Sequence, residues 1–167
     1  MEDSAMSTVE SDARCLTRKA KAPRDDLLEC AFDVEGAAGA QLSAVDARRV
    51  GHMRRIVAAR LRFLGFDGLV EPAEQVVSEL VTNAIVHGSG PVSLSQLVTS
   101  TEILLVVRDT GRGQPIQRKP GLDAEGGRGL QIVEWLAAER GGSCGFASET
   151  RRAWCSLPLP APFVSVG

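Results

Sequence analysis

A chain of 167 residues is long enough for one domain with a real core and short for two. Hydrophobic residues at 44% and charged residues at 24% are ordinary globular values, and a formal net charge of −2 gives no general argument for nucleic acid or an anionic membrane. No stretch approaches the roughly 20 apolar residues that span a bilayer, and the polar N-terminus lacks a signal-peptide core, so a cytoplasmic protein is expected.

Residues 1–26 mix Ser, Asp, Glu, Lys and Arg with little apolar content and read as a disordered polar tail. Residues 28–34 then alternate apolar and polar side chains at the period of a half-buried strand, until Gly36-Ala37-Ala38-Gly39 breaks it. Ser43 is placed to cap a helix, with Asp46 three residues on. Val50, Met53, Val57, Leu61 and Leu64 advance by threes and fours, which predicts an amphipathic helix to about residue 63. Its other side carries Arg48, Arg49, Arg54, Arg55, Arg60 and Arg62, either a solvated face or a dock for an acidic partner. His52 reads as a surface residue. Gly65 ends this helix, and residues 65–71 form a loop.

The next helix, over residues 71–88, has Pro72 in its first turn and ends at Gly88, which is expected to be left-handed. Val76, Val77, Leu80, Val81 and Ala84 make its apolar face. Glu79, Asn83 and His87 recur every four residues and form one polar stripe, which marks this helix as one wall of a site. Val92, Leu94 and Val98 suggest a strand, Thr99-Ser100-Thr101 a turn, and Ile103-Leu104-Leu105-Val106-Val107 a central strand covered on both faces. That strand delivers Asp109, held rigidly and followed by Thr110-Gly111-Arg112-Gly113, whose glycines let backbone turn sharply or approach a ligand.

Residues 116–125, with Pro120 and Gly121, read as a mobile loop or lid. Gly126-Gly127-Arg128-Gly129 opens a helix over residues 130–140, and a glycine-rich helix start with free N–H groups suits an anion, commonly phosphate. Residues 143–148 and 152–157 read as an antiparallel pair closing the sheet. Of the four cysteines, Cys144 and Cys155 would face each other if the turn lies at Glu149-Thr150, and read as two small strand residues. None has zinc-ligand spacing.

The phosphate loop and the dinucleotide glycine fingerprint are both absent. The order found instead is a polar helix stripe, a strand-end D-x-G-x-G, a lid, and G-x-G at a helix start. It closely resembles the GHKL (Bergerat-fold) ATPase superfamily, and within it the anti-sigma-factor serine/threonine kinases, over residues 28–157. The resemblance implies an α+β fold, a two-layer α/β sandwich with a mixed, mainly antiparallel sheet and helices on one face, spanning residues 27–160 with a tail at 161–167.

It implies ATP and Mg2+ as cofactors. Glu79 would be the general base and Asn83 the Mg2+ ligand. Asp109 would accept the adenine amino group, Gly111 and Gly113 would shape the base pocket, and Gly127, Arg128 and Gly129 would lie at the triphosphate. His87 would close the helix structurally. The implied function is an anti-sigma factor that sequesters a sigma factor and phosphorylates a Ser or Thr of an anti-anti-sigma antagonist, as a possible homodimer. The alternative is an ATP-binding switch without kinase activity. A histidine-kinase catalytic domain fits less well, since the chain leaves no room for a phosphoacceptor hairpin.

Two positions depart from the family pattern. Ala124-Glu125-Gly126 stands where kinase-active members often carry Arg, and Arg151-Arg152 stands where the last strand often begins with Thr. Both bear on phosphoryl transfer more than on nucleotide binding.

Overall fold

The computed structural model describes residues 26–36, 41–111 and 127–160. The expected lid at 116–125, Gly113, the C-terminal tail at 161–167 and all of the N-terminal tail except Asp26 lie outside the described residues.

Five strands form one sheet: β1 (Asp26–Phe32), β2 (Val92–Val98), β3 (Glu102–Asp109), β4 (Ser143–Ala147) and β5 (Arg152–Pro158). Their order is β1-β2-β3-β5-β4, and each of the four pairings is antiparallel. Three helices, α1 (Ala44–Phe63), α2 (Val70–His87) and α3 (Gly127–Glu139), complete an α+β sandwich of two layers. The helix layer covers Val92, Leu94 and Val98 of β2, Ile103, Leu105 and Val107 of β3, and Cys155 and Leu157 of β5, all essentially inaccessible to solvent.

β3 is central, as its aliphatic run predicts, but it is not covered on both faces. Leu104 and Val106 point away from the helices and are half-buried, while Arg108 on the same face is exposed. Their burial comes from cross-strand neighbours, Leu97 opposite Leu104 and Trp154 opposite Val106. A second helix layer is not needed to explain a β-branched run in the middle of a two-layer sheet. One inward side chain breaks the pattern: Gln96 is fully buried and its amide has no hydrogen-bond partner among the described residues, which nothing in the structure explains.

β1 begins two residues earlier than the alternation suggests, pairing from Asp26↔Val98 to Phe32↔Val92. The residues after it receive the start of α1 instead. Asp46 is fully buried there and accepts hydrogen bonds from the Ser43 hydroxyl (2.9 Å), the Glu35 N–H (3.4 Å) and Arg49 (3.0 Å). Ser43 in turn accepts the Asp46 N–H at 3.0 Å as the helix cap. Burial alone would raise the Asp46 pKa, but the bonds from Ser43, the Glu35 and Gly36 backbone and Arg49 prevail and hold it below the ordinary carboxylate value. Arg49 also donates to the Asp33 carbonyl and lies over the Phe32 ring, so it is a structural clamp between α1 and β1.

Leu64 caps the C-terminus of α1, Gly65 follows with φ 82°, and the Phe66 N–H returns to the Leu61 carbonyl at 2.8 Å. The expected loop contains a short 3-10 turn, Asp67–Leu69, that runs straight into α2. Val76, Val77, Leu80 and Val81 on α2 are at most 1% exposed, each contributing about 1.5–3 kcal/mol by leaving water. α2 is packed between α1 and α3 over the middle of the sheet.

Gly88 ends α2 in an extended conformation (φ −82°, ψ −178°), not in the left-handed one expected from its residue type. Glycine is needed here for room. A Cβ would overlap the Ala84 carbonyl and stand 2.8 Å from the Asp109 carboxyl carbon. The helix end is thereby pressed against the end of β3. Among the described residues, no helix is long and apolar enough to cross a membrane.

Candidate functional site

The polar stripe of α2 runs along the flank of its buried face, and Glu79, Asn83 and His87 are all half-buried. The start of α3 packs against the first two. Gly129 is buried so closely that a Cβ would overlap Glu79 Oε2 and stand 3.6 Å from Asn83 Nδ2. A helix N-terminus, a carboxylate and an amide therefore converge on one point. The Asn83 Nδ2 atom is buried with no hydrogen-bond partner among the described residues, which for a buried amide costs about 1–3 kcal/mol unless a ligand repays it. Gly127 begins α3, and Arg128 beside it is exposed.

A second corner lies at the C-terminal end of the same helix. From Glu79 to Gly88 the helix rises roughly 14 Å, at 1.5 Å per residue. Here Asp109, only 7% exposed, accepts three hydrogen bonds. Its Oδ2 accepts the Ser89 N–H at 2.9 Å and Arg151 Nη1 at 2.8 Å, and its Oδ1 accepts the Gly111 N–H at 2.9 Å. Arg151 Nη1 also donates to Ser89 Oγ at 2.8 Å. The Ser89–Gly90 backbone crosses directly over Gly111, where a Cβ would collide with the Ser89 carbonyl. Thr110 fastens the crossing by donating from both its N–H and its hydroxyl to the Pro91 carbonyl, each at 2.9 Å.

The structure thus brings Glu79, Asn83 and Gly129 together and places Asp109 with Gly111 at the second corner. His87 is the last residue of α2, consistent with a cationic or dipolar group near a helix C-terminus. An open groove of about 540 Å³ lined by Arg54, Glu71, Glu74, Gln75 and Ser78 lies on the opposite flank of α2, against α1, and touches none of these residues. His52 is exposed on α1.

Arg151 is the residue that sequence reasoning missed as a member of the site. The Arg151-Arg152 pair stands out in the sequence, but only the structure separates its two members. Arg152 is exposed, opposite Ala147 and Arg108. Arg151 turns inward from the loop joining β4 to β5, with a left-handed backbone (φ 52°) and a side chain 14% exposed. On the helix side of the same hairpin, Cys144 and Cys155 are directly opposite, both as free thiols. Burial raises both, Cys144 helped by Glu134 and Cys155 pushed up to about 12, so neither is an activated nucleophile.

The model of the histidine kinase-like ATPase domain matches residues 43–140, and the chain belongs to this family. It is a GHKL-type ATPase domain, which implies ATP binding. The match takes in Glu79, Asn83, Asp109 and Gly129, and it stops before Arg151. No curated protein matches the chain.

The residues present fit a nucleotide with its cation. Mg2+ keeps most of its waters and binds through phosphate and one or two protein oxygens, so the Asn83 amide oxygen would suffice as a ligand, while the unpartnered Nδ2 donor suits a phosphate oxygen. Among the described residues, no group of three or more His, Cys, Asp or Glu is placed to hold a metal ion without such phosphates.

Proposed function

We propose that this domain is an ATP-dependent anti-sigma factor that phosphorylates a Ser or Thr of an antagonist protein. The observation that carries the reading is the convergence of Glu79, the unpartnered Asn83 amide and the Gly129 helix start. In this reading the N–H groups around Gly127, Arg128 and Gly129 hold the triphosphate. Asn83 would hold the cation through its amide oxygen, and the cation would neutralise charge on the phosphates. Asp109 accepts the amino group of adenine beside Gly111 and Gly113.

Glu79 is the general base. The antagonist's hydroxyl oxygen bonds to the γ-phosphorus, the bond to the bridging β–γ oxygen breaks, and ADP leaves with that electron pair. The hydroxyl proton passes to Glu79, one helical turn from Asn83. Positioning supplies most of the remaining rate. The partner surface is α1. Arg49 and Arg60 are occupied in ion pairs with Asp46 and Asp26, while Arg48, Arg54, Arg55 and Arg62 are exposed and suit an acidic face on the sigma factor.

The test is transfer of label from γ-labelled ATP to a panel of antagonist proteins. Glu79→Gln should reduce transfer by about 10²–10⁴-fold while ATP affinity stays within a factor of about three. Transfer unaffected by Glu79→Gln would remove Glu79 from the chemistry. ATP binding with no transfer to any antagonist would favour the second reading, a nucleotide-dependent switch without kinase activity. Ala124-Glu125-Gly126 in place of an arginine before the glycines, and Arg152 at the start of the last strand, are the sequence features that favour it.

A further inference from the structure

We infer that Arg151 is a specificity-determining residue of the base pocket, competing with adenine for Asp109. The inference rests on the reading of Asp109 as the base-binding carboxylate.

The carboxylate of Asp109 is already a hydrogen-bond acceptor three times over, from Ser89, Gly111 and Arg151. The two backbone donors come from the crossing that shapes the corner, and they orient the carboxylate. Arg151 is different in kind: it is a side chain reaching in from a hairpin loop, it carries a full charge, and its bond to Oδ2 uses acceptor capacity that an incoming amino group needs. Asp109 alone offers only acceptors, which suits the amino group at position 6 of adenine and repels the carbonyl at position 6 of guanine. A guanidinium at the same point adds donors and reverses both preferences. Arg151 therefore weakens adenine binding and narrows the margin of ATP over GTP.

The backbone supports a purpose for this arginine. Arg151 is the only non-glycine residue with positive φ among the described residues. The left-handed region favours Gly or Asn, and an ordinary side chain held there is strained. The loop needs this conformation to return the chain from Ser148 into β5, with the Arg151 N–H on the Ser148 carbonyl at 3.3 Å. Its carbonyl also receives the Asp109 N–H at 3.3 Å, so the loop is docked on the strand end that presents the carboxylate. Occupying a glycine-type position with arginine is accounted for by what the side chain reaches.

The experiment measures ATP and GTP affinity by calorimetry for wild type, Arg151→Asn, Arg151→Gly and Asp109→Asn, with folding checked by thermal melting. Asn and Gly both tolerate positive φ, so two independent replacements preserve the loop. The expected result is an ATP dissociation constant about tenfold lower in both Arg151 variants, with GTP affinity unchanged or reduced. ATP affinity that is unchanged or weakened in both variants, while Asp109→Asn loses ATP preference, overturns the competition and leaves the base-pocket reading standing. Equal ATP and GTP affinities in wild type and in Asp109→Asn overturn the base-pocket reading itself, and the role of Arg151 with it. A parallel rise in both nucleotides in the Arg151 variants also overturns it, because strain relief would raise both alike.

Discussion

The two corners, one at the middle of α2 and one at its C-terminal end, use polar groups in opposite ways. At the Gly129 corner a carboxylate and an amide meet a helix start, and the Asn83 Nδ2 atom is buried with no partner among the described residues. At the Asp109 corner the carboxylate carries three donors, one of them a charged guanidinium. The first corner is poised for a ligand and contributes little to holding the fold. The second helps hold the fold, and in the proposed reading a base enters it in competition with Arg151. Function and stability are therefore separable by position along one helix, because a polar group can satisfy a protein partner or a ligand but not both with the same lone pair.

The largest expected effect breaks the second corner. Asp109→Ala strips a partner from a mostly buried arginine and from two backbone N–H groups, and should cost about 3 kcal/mol, read by urea unfolding. Asn83→Ala, at the first corner, should cost less than about 0.5 kcal/mol, because Nδ2 has no bond to lose, yet it should abolish the Mg2+-dependent part of ATP affinity. Equal destabilisation by the two variants would refute the contrast.

Next in size, Gly129→Ala forces a methyl into Glu79 and should cost about 1–3 kcal/mol while weakening ATP binding by more than tenfold, measured by melting and calorimetry. Unchanged ATP affinity would separate α3 from the ligand.

Asp46 sharpens the comparison from outside both corners. Its folded pKa lies below the unfolded value of 3.8, so the stability it contributes is complete above that value and disappears as pH falls through the folded pKa. Asp46→Asn should cost about 1–3 kcal/mol at pH 7, flatten the acid limb of the stability profile below about pH 4, and leave ATP affinity unchanged. A matching loss in wild type and variant between pH 4 and 2 would assign the acid limb to other carboxylates.

Much of the fold was legible because its determinants are local. Apolar spacing by threes and fours placed α1 and α2, the glycine-rich start placed α3, and the Ser43 cap and the Gly65 stop were read correctly from residue type. β3 was recognised as central, but its aliphatic run was read as two-sided burial. Hydrophobicity reports that a side chain is covered, and does not say whether a helix or a neighbouring strand covers it. Gly88 was recognised as a helix end for the wrong reason: residue type suggests a left-handed turn, whereas the need here is clearance from the Ala84 carbonyl and from Asp109, the second a residue far along the chain.

For the site, the sequence by itself determined that Glu79 and Asn83 share one helix face, that Asp109 ends a buried strand, and that a glycine-rich start opens α3. Each of these follows from periodicity or from the residue's own backbone preference, within a few positions. Only the tertiary structure decided which groups meet. Gly129 against Glu79 is a contact between separate helices, and Arg151 on Asp109 spans 42 positions from a hairpin loop to the end of a central strand. Such pairings are set by how the sheet order brings β5 beside β3 and how α3 packs on α2, and no local pattern encodes them. Arg151 lies in the loop at φ 52° with its side chain on Asp109, whereas Arg152 opens β5 opposite Arg108 and is left in solvent.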